Sequence, residues 1–147
     1  MGNTQSIKKI NFEDIKFMQK NMKTGKTDAD YVLLNTLPDD EQDCLIENTI
    51  HSSSEVQIIN EYIRKCKNVR IIIYGKNSND ASLYKKFNQL IALGFSDVYV
   101  YIGGLFEWLL LQDVYGTEEF PTTKQELDIL KFKPCGIISG QTRYLMA

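Results

Sequence analysis

Cysteine and histidine are scarce in this 147-residue sequence, which has three cysteines and one histidine. Cys44, Cys66 and Cys135 are odd in number, lie far apart and form no Cys-x-x-Cys pair, so they are predicted to be reduced thiols of an intracellular protein. No zinc site of ordinary ligand spacing can be written with His51 as its only imidazole. We therefore expect neither a metal nor a cofactor.

An excess of positive charge and a long apolar run are also missing. The net charge is −2 at pH 7, which gives no bulk attraction for a polyanion and argues against a nucleic-acid partner. No stretch approaches the roughly 20 apolar residues of a membrane span, and the N-terminus has no secretory apolar segment. Since the chain is 43% hydrophobic, its length suits one domain with one core, and we expect it to be cytoplasmic.

The extreme N-terminus carries a modification pattern. Gly2 follows the initiator methionine and Ser6 stands at the sixth position, as in substrates of N-myristoylation. Lys8 and Lys9 follow, and residues 8–26 contain six lysines against two acidic residues, which supplies the electrostatic signal that a single acyl chain needs. Peripheral membrane contact through Gly2, Lys8 and Lys9 is one interpretation. An unmodified polar start is the other.

Apolar patterning divides the rest of the chain into alternating helices and strands. Runs of β-branched and aliphatic residues predict strands at 31–34, 69–74 and 98–102, and a brief further strand at 49–51. Helical spacing and capping residues predict helices after Asn11, after Ser53 or Ser54, before Gly94, after Gly103 and from Thr122 or Thr123 to Leu130. This order is typical of an α/β fold with a parallel sheet.

Two groups of apolar residues are predicted to be buried. In the helix after Ser54, Val56, Ile59, Tyr62 and Ile63 share one face and are expected to contact the core. In the tail after Pro134, Ile137, Ile138 and residues 144–146 are expected to cover an edge of the core, with a bound partner as the alternative.

A polar loop follows the strongest predicted strand, at 69–74. Ligands of open parallel sheets bind at the carboxyl ends of the strands, so this loop is where an active site would lie. It consists of Gly75, Lys76, Asn77, Ser78, Asn79 and Asp80. A purely structural interpretation is also available, in which Ser78, Asn79 or Asp80 caps the following helix.

Several segments resemble the rhodanese-like domains. Residues 69–93 are similar to that family's strand, active-site loop and helix, residues 92–99 to its Leu-x-x-x-Gly-Phe-x-x-Val turn and, more weakly, residues 32–50 to its first core strand and the connection after it. Residues 102–108 resemble its Gly-Gly-x-x-x-Trp signature. In that signature Gly103 and Gly104 would let the backbone approach the loop, and Trp108 would pack in the core.

The resemblance implies an architecture. We expect a doubly wound α/β sheet of about five mostly parallel strands with helices on both faces. The rhodanese-like domain would span 7–133, between an N-terminal segment at 1–6 and a C-terminal tail at 134–147.

The resemblance also implies a missing catalytic group. In active members a cysteine at the strand end takes sulfur from a donor as a persulfide, and loop amides stabilise its thiolate. Gly75 stands at that position and cannot form a persulfide. Asp80 falls at or near the usual loop arginine, and Asn35-Thr36-Leu37 replaces the usual Asp-x-Arg. We therefore expect no catalytic residue in the loop.

Two classes of function follow. The first is a catalytically inactive domain that binds an unidentified protein partner or regulates it. The second is a residual enzyme, either a sulfurtransferase that uses a displaced cysteine or a phosphatase-like activity of the related loop. Both chemistries require a nucleophile that Gly75 does not supply.

Overall fold

A computed structural model describes residues 6–23 and 29–138. The predicted acylation at Gly2 and the tail residues 144–146 lie outside these ranges. The sheet has four strands, all parallel, in the order β1-β4-β3-β2. They are β1 (Lys8–Ile10), β2 (Tyr31–Asn35), β3 (Arg70–Tyr74) and β4 (Val98–Tyr101).

Four α-helices connect or follow the strands: α1 (Phe12–Asn21), α2 (Ser52–Lys65), α3 (Ser82–Ala92) and α4 (Gly104–Tyr115). Two short 3-10 helices lie at Asp39–Glu41 and Ile129–Phe132. No helix in the described ranges is long and apolar enough to cross a membrane.

The sheet separates two apolar layers, as a doubly wound fold requires. On one face, α1 and α4 contribute Ile15, Met18 and Trp108 to a cluster with Tyr74 and Tyr101. On the other face, α2 and α3 contribute Ile58, Ile59, Leu83, Phe87 and Leu90. All five β2 residues are buried, because both faces of this strand are covered. The predicted α/β class with helices on both faces is confirmed.

The strand count differs from the expected five. The predicted strand at 49–51 is reduced to one parallel bridge between Thr49 and Leu33, supported by the 2.8 Å hydrogen bond from Ile50 N to Leu33 O. Conversely, β1 was missed because its three residues include Lys8 and Lys9, which carry no apolar strand pattern. As the outer strand, β1 pairs only with β4.

Local predictions at helix starts were partly right. Asn11 caps α1 as predicted, and Asp14 completes a capping box with it. At α2 the prediction of Ser53 or Ser54 was wrong. His51 is the cap, and its imidazole Nδ1 accepts a hydrogen bond from Ser53 N at 3.1 Å.

The predicted buried face of α2 also needs correction. Val56 is 71% exposed, and Ile58 takes its place in the core beside Ile59 and Tyr62. The buried face is thus rotated from the predicted one, and Ile63 packs only partly against it.

The largest correction concerns the segment after α4. The predicted helix from Thr122 or Thr123 to Leu130 is absent from the described structure, and a short 3-10 helix forms only at Ile129–Phe132. The two threonines do not cap a helix. Thr123 N donates to Leu45 O at 2.8 Å and Thr122 pairs with Ile46 in an antiparallel bridge, so the segment binds the connection after β2. Ile137 and Ile138, predicted to cover the core, are 77% and 74% exposed.

Candidate functional site

The loop at 75–80 leaves the carboxyl end of the central strand β3, and the turn after β4 holds it in place. Leu105 N donates to Gly75 O at 2.9 Å, and Phe106 N donates to Lys76 O at 2.8 Å. The first turn of α4 therefore uses its free amides to bind the loop backbone. These two contacts hold the start of the loop and do not depend on its side chains.

Gly104 makes this close approach feasible. Its φ is +69°, a left-handed conformation, and a Cβ there would lie 2.7 Å from Gly75 O and 2.9 Å from Asn77 N. Both contacts are with backbone, so they cannot be relieved by side-chain rotation. Gly103 differs in having an ordinary φ of −62°, and the nearest atoms to a Cβ there belong to the side chain of Glu107. One of them is the Glu107 Cβ at 2.9 Å, which side-chain rotation cannot move, so a side chain at Gly103 is also disfavoured.

Trp108 packs in the core and supports the turn after β4. Its side chain is fully buried, and its indole packs edge-on against Phe120 at 5.0 Å and Tyr101 at 6.3 Å between ring centroids. The indole N–H donates to Pro121 O at 3.1 Å, so the polar end of the ring is also satisfied. The segment after α4 supplies two of these partners.

Gly75 is buried, and the space beside its Cα is taken. A Cβ built there would lie 2.5 Å from Asp80 Oδ2 and 2.8 Å from Thr36 Oγ1. Both neighbours are side-chain ends. The position that the resemblance assigns to a catalytic cysteine therefore has no free volume for its side chain.

Asp80 turns its carboxylate back into the loop. Oδ2 accepts a hydrogen bond from Lys76 N at 3.1 Å, while Oδ1 accepts from Ser82 N at 3.1 Å and from Ser82 Oγ at 2.6 Å. Asp80 thus binds Ser82 at the start of α3, although the N-cap position is held by Ala81 and not by Ser78, Asn79 or Asp80 as the capping interpretation predicted.

The remaining loop side chains bind other parts of the protein or face solvent. Asn77 is buried, its Nδ2 donates to Phe132 O at 2.8 Å, and its Oδ1 accepts from Asn79 N at 2.8 Å. Lys76 pairs with Glu41 at 3.2 Å. The side chains of Ser78 and Asn79 are exposed.

The segment after β2 lies beside the loop. Asn35 and Gln42 form a reciprocal pair of buried amides at 3.0 and 2.8 Å, and Asn35 Oδ1 also accepts from Leu37 N at 3.0 Å. Among the described residues, Thr36 Oγ1 is the buried side-chain oxygen that has no hydrogen-bond partner. Asn35 therefore has a structural role in this chain, and Thr36 leaves a donor beside Gly75.

A buried tyrosine precedes each of the two turns. Tyr74 and Tyr101 are aligned in neighbouring strands, and both are 0% exposed. Burial raises the pKa of Tyr74 well above its ordinary value, although hydrogen bonds with Thr49 and Ile46 oppose the shift. Burial also raises the pKa of Tyr101, and its 2.6 Å hydrogen bond to Glu107 adds to that rise. Both phenols stay protonated at neutral pH.

The three thiols differ in burial and in position relative to the loop. Cys44 is buried, and burial raises the pKa of its thiol. Cys66 ends α2 just before β3, so it lies at the opposite end of the sheet from the loop. Cys135 is exposed and follows Phe132, whose carbonyl binds Asn77. The described ranges contain no group of three or more His, Cys, Asp or Glu side chains that could hold a metal.

Sequence reasoning missed the contact between Asn77 and Phe132. Phe132 is 2% exposed and lies in the 3-10 helix that packs against α4. No local pattern at 128–133 indicates it. The contact joins the loop to a residue just beyond the predicted helix, which was expected to end at Leu130.

The parallel sheet, its two covered faces and the strand–loop–helix at its centre define an α/β domain with a site at the end of β3. A family model for the rhodanese-like domain matches residues 16–111, about two thirds of the chain. The protein belongs to the rhodanese-like family. The segment after residue 111, with Pro121 and Phe132, lies beyond the matched part.

Solved structures support the same fold. The crystal structure of the Alr3790 protein from Anabaena sp. has a TM-score of 0.54 at 18% identity, covering 83% of this chain and 86% of that one. The solution structure of the rhodanese-like domain of Alr3790 has a TM-score of 0.53 at 19% identity, covering 90% and 87%. The BH2092 protein from Bacillus halodurans has a TM-score of 0.53 at 16% identity, covering 86% and 90%. No curated protein sequence matches significantly.

Proposed function

We propose that this protein is a catalytically inactive rhodanese-like domain that acts as a binding or regulatory module. The observation that carries the proposal is the end of β3, where Gly75 offers no nucleophile and Asp80 and Thr36 fill the adjacent space. Sulfur transfer by the family's route begins with a thiolate at this position. The chain keeps the fold around the loop and lacks the group that would react.

Cys135 is the thiol on which a displaced-cysteine sulfurtransferase would depend. It follows Phe132 by three residues, so its Cα lies within roughly 11 Å of that anchored position. It is exposed, and a reactive thiol needs an environment that stabilises its thiolate. Two of the loop amides that could do so, those of Lys76 and Asn79, already bind Asp80 and Asn77.

The deciding experiment is a thiosulfate–cyanide assay on the unmodified protein. In the reaction being tested, a thiolate attacks the outer sulfur of thiosulfate, sulfite leaves with the electron pair of the broken S–S bond, and cyanide then removes the sulfur as thiocyanate. We expect no thiocyanate above the protein-free rate and no added mass of about 32 Da on any cysteine. Turnover that disappears in Cys135→Ser but persists in Cys66→Ser would overturn the proposal in favour of the displaced cysteine.

A protein partner is proposed to bind the segment after α4. Its Leu127 and Leu130 side chains are 82% and 61% exposed, and exposed aliphatic residues near one another are typical of interaction surfaces. A Leu127→Ser/Leu130→Ser variant should lose binding to a partner isolated with the unmodified protein while keeping its melting temperature. Unchanged binding would place the partner elsewhere.

Acylation of Gly2 is proposed to tether the domain to a membrane with the help of Lys8 and Lys9. Both lysines are exposed on the outer strand β1. The same placement has a second physical role, since charges on an outer strand prevent pairing with other sheets. Protein co-expressed with N-myristoyltransferase should bind vesicles containing phosphatidylserine, and Gly2→Ala should abolish this. Equal vesicle binding by the wild-type protein and by Gly2→Ala, both co-expressed with N-myristoyltransferase, would exclude the tether.

A further inference from the structure

A carboxylate oxygen lies against the position that the resemblance assigns to the family's reactive cysteine. The Cβ of a side chain at position 75 would lie 2.5 Å from Asp80 Oδ2 and 3.0 Å from Asp80 Cγ. Real Cβ atoms do not approach oxygen this closely, so any such side chain must displace Asp80. The loss of catalytic chemistry therefore involves two positions, Gly75 and Asp80.

Asp80 also uses donors that an external anion would need. Lys76 N, inside the loop, donates to Oδ2, and Ser82 N, in the first turn of α3, donates to Oδ1. Amides at a helix start favour negative charge, because they lack partners within the helix. α3 is 11 residues long, so its first turn carries this preference in full.

Two further polar groups of the loop also have partners. Asn79 N donates to Asn77 Oδ1, and the Lys76 ammonium pairs with Glu41. An incoming thiosulfate ion would have to displace these contacts and would also meet the negative charge of Asp80. The hydroxyl of Thr36 is buried beside Gly75 without a partner, so a donor becomes available if the carboxylate is removed.

We propose that Asp80 is the resident anion of this loop, and that its carboxylate excludes both external anions and a thiolate at position 75. The inference rests on the proposed inactivity and names the side chain that maintains it. It implies that Gly75→Cys alone does not create a reactive thiol. It also implies that removing the carboxylate creates a site for a small oxyanion at Lys76 and Ser82.

The first test is anion binding. Thiosulfate is titrated into 15N-labelled protein while the amide signals of Lys76 and Ser82 are followed. We expect no saturable shift in the unmodified protein and a saturable shift at both amides in Asp80→Ser, which removes the carboxylate and retains an oxygen for Ser82 N. The matched control is Asp39→Ser, which removes an exposed carboxylate from the groove that Thr36 and Ser82 also line.

Saturable binding by the unmodified protein would overturn the proposal, as would the absence of binding in Asp80→Ser. Equal binding by Asp39→Ser would also overturn it, because general charge would then explain the effect. Asp80→Asn, which keeps the shape of the side chain, provides a second variant if Asp80→Ser does not fold. With the charge gone and the volume kept, it should bind thiosulfate more weakly than Asp80→Ser does. Binding by neither variant would overturn the proposal.

The second test is thiol reactivity in a Cys66→Ser/Cys135→Ser background, which leaves the buried Cys44. Alkylation by iodoacetamide at pH 7 should be at least about tenfold faster in Gly75→Cys/Asp80→Ser than in Gly75→Cys, because a neighbouring negative charge disfavours the thiolate. Equal rates would overturn the role of Asp80. The thiocyanate assay on the unmodified protein tests the proposed inactivity separately, so either idea can fail alone.

Discussion

The turns after β3 and β4 lie side by side, and both contain a buried glycine, yet the two glycines are needed for different reasons. At Gly104 the neighbours are backbone atoms of the other turn, and φ is +69°. At Gly75 the neighbours are the side-chain ends of Asp80 and Thr36. The turn after β4 is constrained by main-chain geometry, and the turn after β3 is constrained by side chains that can be replaced. The scaffold of this domain is therefore fixed more rigidly than its site.

The strongest test of this comparison is Gly104→Ala. The added methyl would contact Gly75 O and Asn77 N below 3.0 Å in a strained backbone conformation, so we expect a loss of roughly 3–5 kcal/mol in the free energy of unfolding, measured in urea. Gly116→Ala is the matched control, since its φ is +103° and no described atom lies within 4 Å of a Cβ there. A loss no larger than that of Gly116→Ala would show that crowding is unimportant.

Asn77→Ala tests whether the loop depends on the segment after α4. It removes the donor to the carbonyl of the buried Phe132, and an unsatisfied buried acceptor costs about 1–3 kcal/mol. We also expect faster tryptic cleavage after Lys131 and Lys133. Asn79→Ala, whose side chain is exposed, should change neither measurement. If both variants behaved alike, the contact with Phe132 would have no energetic role.

Gly75→Ala should have a smaller effect. Its methyl meets side chains that can rotate, so we expect a loss of about 1 kcal/mol, chiefly from displaced Asp80 hydrogen bonds. In a protein that also carries Asp80→Ser, Gly75→Ala should cost much less stability, and a double-mutant cycle measures this difference. Additive losses would contradict direct contact between positions 75 and 80.

Alkaline pH tests the burial of Tyr74 and Tyr101, the tyrosines that precede the two turns. Near neutral pH both phenols are protonated, so the free energy of unfolding should change little. The pKa values of Tyr74 and Tyr101 are raised by folding, so above about pH 10 the unfolded chain binds fewer protons than the native protein. The free energy of unfolding should therefore fall as pH rises, by up to about 1.4 kcal/mol per pH unit for each tyrosine. Cys44 contributes with the same sign from about pH 9.

Tyr101→Phe removes one of these contributions and should make the alkaline slope of the unfolding free energy less steep. Stability that does not change between pH 9 and 11 would contradict the burial of the phenols.

Sequence alone predicted the parts of this protein that depend on local patterns. The apolar runs at β3 and β4, the Asn11 cap and the left-handed Gly94 all have short-range causes. The strand β1 was not predictable in this way, because Lys8 and Lys9 form a strand only through pairing with β4. The threonines at 122 and 123 were misread for the same reason, since their partners lie near residue 45.

The loop after β3 was predicted in position, but its internal contacts were not, and its role as a site stays a prediction. The rule that ligands bind at the carboxyl ends of parallel strands located the loop, and the resemblance identified Gly75. The Asp80 carboxylate is oriented by its hydrogen bonds with the amides of Lys76 and Ser82. These bonds depend on the three-dimensional course of the loop, which no pattern in the sequence encodes. The contact between Asn77 and Phe132 spans 55 positions and is equally invisible in the sequence.

The packing of Trp108 against Phe120 and Pro121 has a consequence for how the chain folds on the ribosome. The part matched by the family model, 16–111, emerges before the residues that complete the apolar layer around the indole. Phe132 emerges later still. Until then, the nascent chain exposes apolar surface that chaperones recognise. The apolar layer around Trp108 is therefore completed by a segment outside the part that the family model matches.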